Sequence, residues 1–193
     1  MPADERRLVE RLKRRDEAAF NELVRQNQGP LYRMLVRLLG DAAEAEDVAQ
    51  EVFISVFKAI ESFRGDAALS TWLHRIAANH AHNRRKYLAR RGRDAQRPFE
   101  ELATPIDSGT LGPRPHTPHQ IVESLQAEHH VQQALSELDD EQRLLITLRD
   151  LEDMSYEDIR QVTGLPIGTV KSKLHRARMA LHLRFAALQK GTP

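Results

Sequence analysis

Residues 155–178 read Ser155-Tyr156-Glu157-Asp158-Ile159-Arg160-Gln161-Val162-Thr163-Gly164-Leu165-Pro166-Ile167-Gly168-Thr169-Val170-Lys171-Ser172-Lys173-Leu174-His175-Arg176-Ala177-Arg178. Ser155 with Asp158 three residues on resembles a capping box, Asp being a shorter substitute for the usual Glu. Ile159 and Val162 supply the inner face of a first helix, and Gly164 can take the left-handed conformation a sharp turn needs. Pro166 suits the entry to a second helix. Val170 and Leu174, four apart, turn that helix back against the first. The spacing predicts a helix-turn-helix.

The outer side of the second helix carries Thr169, Lys171, Ser172, Lys173 and Arg176, with Pro166 and Gly168 at its entry. Hydroxyls and backbone amides at a helix start bind phosphate, and long cations reach bases or flanking phosphates in a major groove. No acidic residue occurs from Ile159 to Pro193. A solvated helix face mixes both signs, whereas a DNA-facing one does not. The plain alternative is a helical hairpin whose exposed face happens to be basic.

Upstream, periodic apolar residues predict helices near 119–138 and 140–151. Between 96 and 119 the periodicity disappears, and Pro98, Pro105, Gly109, Gly112, Pro113, Pro115 and Pro118 accumulate. Proline removes a donor and disfavours helix in the residue before it, so this stretch reads as a flexible linker. About 20 residues fully drawn out reach about 60 Å. The chain is thus expected to be all-α, with two small helical domains at 1–95 and 120–193 joined by 96–119.

The N-terminal block reads as helices throughout. Asp16 is a cap, and Phe20, Leu23 and Val24 open an apolar spacing that Gly29-Pro30 is expected to kink or interrupt before Leu31 and Met34 resume it. Gly40-Asp41 marks a turn. A helix over 44–62 follows, with Val48, Val52 and Val56 on one stripe. Ser70 or Thr71 then caps a helix running to about Arg91.

That last helix places Trp72, Arg75, Asn79, Asn83 and Lys86 at spacings of three and four. An indole, two amides and cations on one face suit unstacked single-stranded DNA, where stacking contributes about 1–3 kcal/mol per base. Arg84, Arg85, Lys86, Arg90, Arg91, Arg93 and Arg97 are opposed only by Asp94. The plain alternatives are a core tryptophan and a solvated basic face. On the preceding helix, five acids and no base lie between Asp41 and Phe57, and Asp47, Gln50, Glu51 and Ile54 form a polar stripe opposite the valines. Such a stripe is either solvated or a docking face for a basic partner.

Composition excludes several classes. The 193 residues are 40% hydrophobic and 5% aromatic, with a net charge of +1. There is no cysteine, which rules out disulfides, a cysteine nucleophile and a Cys-ligated zinc site. His80 and His82, two apart, point to different sides of a helix, so no metal site, catalytic residue or cofactor is expected. No signal peptide or membrane span is legible, and a cytoplasmic, nucleoid-associated protein is expected.

Asp47-Val48-Ala49-Gln50-Glu51-Val52-Phe53, Phe63-Arg64-Gly65, Thr71-Trp72-Leu73-His74-Arg75-Ile76-Ala77-Ala78-Asn79 and Gly168-Thr169-Val170-Lys171-Ser172-Lys173-Leu174-His175-Arg176-Ala177-Arg178 resemble the extracytoplasmic-function branch of the sigma-70 family, in its RpoE-like members. The resemblance implies that Asp47, Gln50, Glu51, Phe53 and Ile54 dock on the clamp helices of the largest subunit of core RNA polymerase. It implies a pocket for a flipped −10 base from Ala59, Phe63, Ile76 and Asn79. Trp72, Arg75, Asn83, Arg84, Arg85 and Lys86 belong to the same −10 surface. Pro166, Gly168, Thr169, Lys171, Ser172, Lys173 and Arg176 would read the −35 element. Further implied partners are promoter DNA, the flap of the second-largest subunit and an anti-sigma factor, which could hold the chain at the membrane. A stand-alone helix-turn-helix regulator would use the last motif but leave the acidic stripe idle. A small helical hydrolase finds no carboxylate partner for its histidines.

Overall fold

The computed structural model describes residues 1–92 and 129–190, side chains of 189 and 190 excepted. The linker expected at 96–119 and the start of the helix expected at 119–138 therefore lie outside the described residues. Those residues form eight α-helices and no strand. The N-terminal set is α1 (Ala3–Lys13), α2 (Glu17–Leu39), α3 (Ala42–Ala59) and α4 (Leu69–Arg90). The C-terminal set is α5 (129–136), α6 (Asp140–Ile146), α7 (Tyr156–Thr163) and α8 (Ile167–Lys190). A 3₁₀ turn at Ile60–Ser62 follows α3, and a π-helical turn at Thr147–Leu151 follows α6.

Local chemistry sets most boundaries. Asp16 accepts from the Ala19 N–H to open α2, Asp41 from Glu44 to open α3, and Asp139 from Gln142 to open α6. Gly40, at φ 74°, closes α2 with its N–H on the Val36 carbonyl. Two expectations are corrected. Gly29-Pro30 does not interrupt α2, because Leu23 on one side and Leu31, Met34 and Leu35 on the other are buried in the same core. Neither Ser70 nor Thr71 caps α4. Its N-cap is Ala68, which makes no side-chain cap bond, and the Leu69 N–H is taken by the Glu5 carboxylate of α1.

The core of the N-terminal set is aliphatic: Leu23, Leu31, Met34, Leu35, Val48, Val52, Val56 and Leu73 are buried where α2, α3 and α4 meet. Leu135, Leu145, Ile146, Leu148, Ile159, Val170 and Leu174 do the same for the C-terminal set.

The two sets pack on each other rather than standing apart, and their apolar residues form one cluster. α7 lies against α4, and α6 with its π turn lies against α2. The Gln132 amide donates to the Val36 carbonyl at 3.0 Å. Buried Arg143 donates to the Leu38 carbonyl at 3.1 Å, and to Leu135, Ser136 and Leu138 at the end of α5. Cationic and amide donors thus satisfy the last carbonyls of α2, where the helix dipole favours them.

Candidate polymerase and promoter interfaces

The helix-turn-helix forms as its spacing predicts. The Ser155 hydroxyl accepts the Asp158 N–H at 3.1 Å, Gly164 sits at φ 73°, and Ile159, Val162, Val170 and Leu174 close the inner face. Pro166, Gly168, Lys171, Ser172 and Arg176 are exposed, while Thr169 and Lys173 are half-buried. The Lys171 ammonium lies over the Tyr156 ring at 5.4 Å, and Lys173 is paired with Glu141. Arg178 is held by Asp150 at 3.0 Å.

On α4 one exposed strip carries Arg75, Asn79, His82, Asn83 and Lys86. Arg84 and Arg85 stand on its flanks and are already engaged. Arg84 contacts Glu44 and lies 2.7 Å from Glu51, and Arg85 lies 2.7 Å from Asp140 on α6. Burial pulls the Arg84 pKa down, but Glu44 and Glu51 more than offset it and hold it above its ordinary value. Trp72 is only 8% exposed and packs on Phe63, ring centroids 5.2 Å apart. It does not stand out along the strip as a free stacking platform. Instead Phe63, Trp72 and Arg75, with the 62–67 loop, line a cavity of about 290 Å³. Ala59 and Ile76 are half-buried beside this core.

On α3 the acidic stripe divides. Asp47 is 68% exposed, Gln50 is exposed, and Ile54 is an apolar side chain 54% open to solvent. Phe53 is half-buried. Glu51 is half-exposed, with its second oxygen 3.4 Å from His80. Sequence reasoning missed Phe57. It is exposed one turn beyond Ile54, with the Arg15 guanidinium over its ring at 4.7 Å and Phe20 edge-on at 5.2 Å. Its i+3 spacing from Ile54 was the available signal. Among the described residues no three His, Cys, Asp or Glu side chains converge to hold a metal ion, and no helix is long and apolar enough to cross a membrane.

The arrangement thus offers an acidic and apolar face on α3, a basic and amide strip ending at a cavity on α4, and a basic helix start on α8. Comparison with known proteins matches these parts in the same order. The Sigma-70 region 2 family matches residues 23–93, and the Sigma-70, region 4 family matches residues 129–181. The RNA polymerase sigma-H factor of Pseudomonas aeruginosa is 40% identical over 182 residues, covering 92% of this chain and 91% of the relative. The chain is an extracytoplasmic-function sigma factor of the sigma-70 family. The ECF RNA polymerase sigma-E factor of Escherichia coli K12 is 36% identical over 178 residues, 90% of each chain. At the level of fold, the sigma factor resembles CnrH in its complex with the cytosolic domain of CnrY. The TM-score is 0.68 at 22% identity, over 97% of this chain and 99% of that one. It also resembles RpoE of Bartonella quintana in complex with the anti-sigma factor NepR, with a TM-score of 0.66 at 24% identity, over 86% and 96%. As a sigma factor the chain directs core RNA polymerase to promoters.

Proposed function

We propose that this sigma factor divides promoter initiation among three surfaces. Asp47, Gln50, Glu51, Phe53 and Ile54, joined by Phe57, dock on the clamp helices of the largest polymerase subunit. Arg75, Asn79, Asn83 and Lys86 follow the −10 strand, and the cavity beside Phe63 and Trp72 receives a base that has left the stack. Pro166, Gly168, Thr169, Lys171, Ser172, Lys173 and Arg176 read the −35 duplex, with the flap of the second-largest subunit holding that domain in place. In this division residues 1–95 are region 2, 96–119 the linker and 120–193 region 4.

The observation that carries the reading is the α4 strip, which exposes two cations and two amides and ends at the 290 Å³ cavity. Extruding a base costs a few kcal/mol, and a pocket adjoining a cationic strip is what offsets it. The mechanism requires no hydrolysis and no cofactor. The names of the sigma-E relatives support an envelope or stress regulon, and the solved anti-sigma complexes support an anti-sigma partner for this chain. By that reading the protein works in the cytoplasm. Multi-round transcription by bacterial core polymerase on a genomic fragment library tests it. New transcripts sharing two upstream sequence blocks support the proposal. DNA retarded by the protein alone, with no new transcript, would replace it with a stand-alone regulator.

A further inference from the structure

Residues 62–67 form the loop wall of the cavity beside Trp72 and Arg75. Among the described residues, 64–67 make no backbone–backbone hydrogen bond, so the loop takes its position from whatever holds its ends. Both ends are held by α1. The Lys13 ammonium donates to the Phe63 carbonyl at 2.8 Å, where the chain enters the loop. At the exit, the Glu5 carboxylate accepts the N–H of Leu69, the first residue of α4. The tip is Gly65 at φ 79°, where a Cβ would stand 3.8 Å from the Met1 methyl carbon.

α1 is itself fixed from the other side. Val9 and Leu12 are buried, and the helix lies against α2 and the 3₁₀ turn. Arg15, just beyond its end, takes the Phe57 carbonyl and pairs with Glu61 at 2.8 Å. Glu5 and Lys13 are eight residues apart, about 12 Å along the helix, so one rigid element sets both ends of the loop. Both bonds are charge-assisted. Glu5 also stands at a helix N-terminus that Ala68 leaves uncapped and that has no acid in its own first turn. Phe63, tied through its carbonyl, packs its ring on Trp72 at 5.2 Å, so a shift of the loop entry moves one ring of the cavity against the other. α1 precedes residues 23–93, the part of the chain matched to region 2.

We infer that Lys13 and Glu5 are positioning residues of the −10 base cavity. Through the two ends of the loop they set its width against Trp72 and Arg75, and with it the hold on the extruded base and the choice among bases. The inference rests on the base-pocket reading of the proposed function. Neither side chain touches the base, and each acts through the loop backbone. A binding constellation loosened by about 1 Å is still present but holds and discriminates poorly.

The test uses the full chain, core polymerase and a promoter mapped with the wild type, its non-template −10 bases replaced one at a time by 2-aminopurine. The position that brightens most on opening is the extruded base. Lys13→Ala is expected to form about tenfold less open complex, at unchanged affinity for core, and to flatten the preference among the four bases at that position. Lys13→Arg keeps a cation within reach of the Phe63 carbonyl and is expected to restore both. Lys13 is an exposed residue, so these substitutions spare the fold. Glu5→Ala frees the other end of the loop and is expected to act in the same direction.

A promoter made abasic at the extruded position separates positioning from general weakening. With no base to enter the cavity, wild type and Lys13→Ala are expected to open it alike, whereas a merely destabilised protein would stay behind on it too. Such a persistent deficit, or wild-type base preference in both Lys13→Ala and Glu5→Ala, overturns the positioning role while the base-pocket reading stands. If no −10 position brightens with the wild type, the base-pocket reading falls and the positioning role with it.

Discussion

Glu51 of α3 and Arg84 of α4 are joined at 2.7 Å, while the other Glu51 oxygen faces His80 Nδ1 at 3.4 Å and His80 Nε2 meets the Ser55 hydroxyl at 3.0 Å. A carboxylate of the stripe proposed to face polymerase is thereby held by the helix proposed to read −10 DNA. Glu44 grips the same guanidinium from two turns away, and both it and Arg84 are largely buried. The pair fixes the angle between the two helices and presents Glu51 in one orientation.

Removing the cation leaves Glu44 desolvated without its partner. Arg84→Gln is expected to lower unfolding stability by about 1–3 kcal/mol, measured as a shift in the urea midpoint. An unchanged midpoint would mean that Glu44 and Glu51 are held by other neighbours.

In the proposed division the clamp-docking stripe and the −35 reading helix sit on opposite halves of the chain, so single substitutions separate them. Glu51→Arg is expected to weaken core binding about tenfold while leaving affinity for −35 duplex intact. Arg176→Ala does the reverse, costing about 1–3 kcal/mol of discrimination if it reads a base, or about one unit of salt slope if it holds a phosphate. Fluorescence anisotropy with labelled core and labelled duplex measures each. Equal loss of both activities in either protein contradicts the division.

Burial pushes the Glu152 carboxyl above its ordinary value of 4.5, and Arg37, His74 and Arg33 pull it down without overcoming burial. A raised folded-state pKa means that the packed protein favours the protonated form. The resulting stability is complete below about 4.5 and is lost as pH rises through the raised value. At neutral pH the charged carboxylate weighs against packing even though it pairs with Arg37. Glu152→Gln is therefore expected to be at least as stable as wild type at pH 7, and to flatten the fall in urea midpoint above pH 4.5. A variant clearly less stable at pH 7 would show the ion pair to be net stabilising.

Pro30 is exposed inside α2 and contributes no backbone donor there. A helix-interior proline is about 3 kcal/mol less favourable than alanine, and the buried residues on either side are what keep α2 continuous. Pro30→Ala is expected to raise the thermal midpoint, with a gain of about 1 kcal/mol or more. A lower midpoint would place the benefit of Pro30 in the unfolded chain.

Much of the molecule is legible from residue order because its determinants are local. The Ser155 box, Gly164 and the Ile159, Val162, Val170 and Leu174 spacing lie within 20 residues and specify the helix-turn-helix without distant help. The valine stripe of α3 and the exposed strip of α4 follow equally from helical period. Local signals failed where a remote group supplied the missing bond. Glu5, 64 residues away, takes the Leu69 N–H at the start of α4, ahead of the expected Ser70 or Thr71 cap, and a shared core carries α2 through Gly29-Pro30. Helical spacing set Trp72 beside Arg75 on one face, but Phe63 draws the indole inward.

Period and charge therefore specified which residues share a helix face, and with that the fold class. Whether each face meets water, DNA or the rest of the chain depends on contacts between residues far apart in sequence. Arg85 meets Asp140 and Thr71 meets Asp158 only because the C-terminal helices settle on the end of α2 and the entry of α4. Spacing along one helix carries no information about such pairings, since they are decided by the burial and hydrogen bonding of both halves at once.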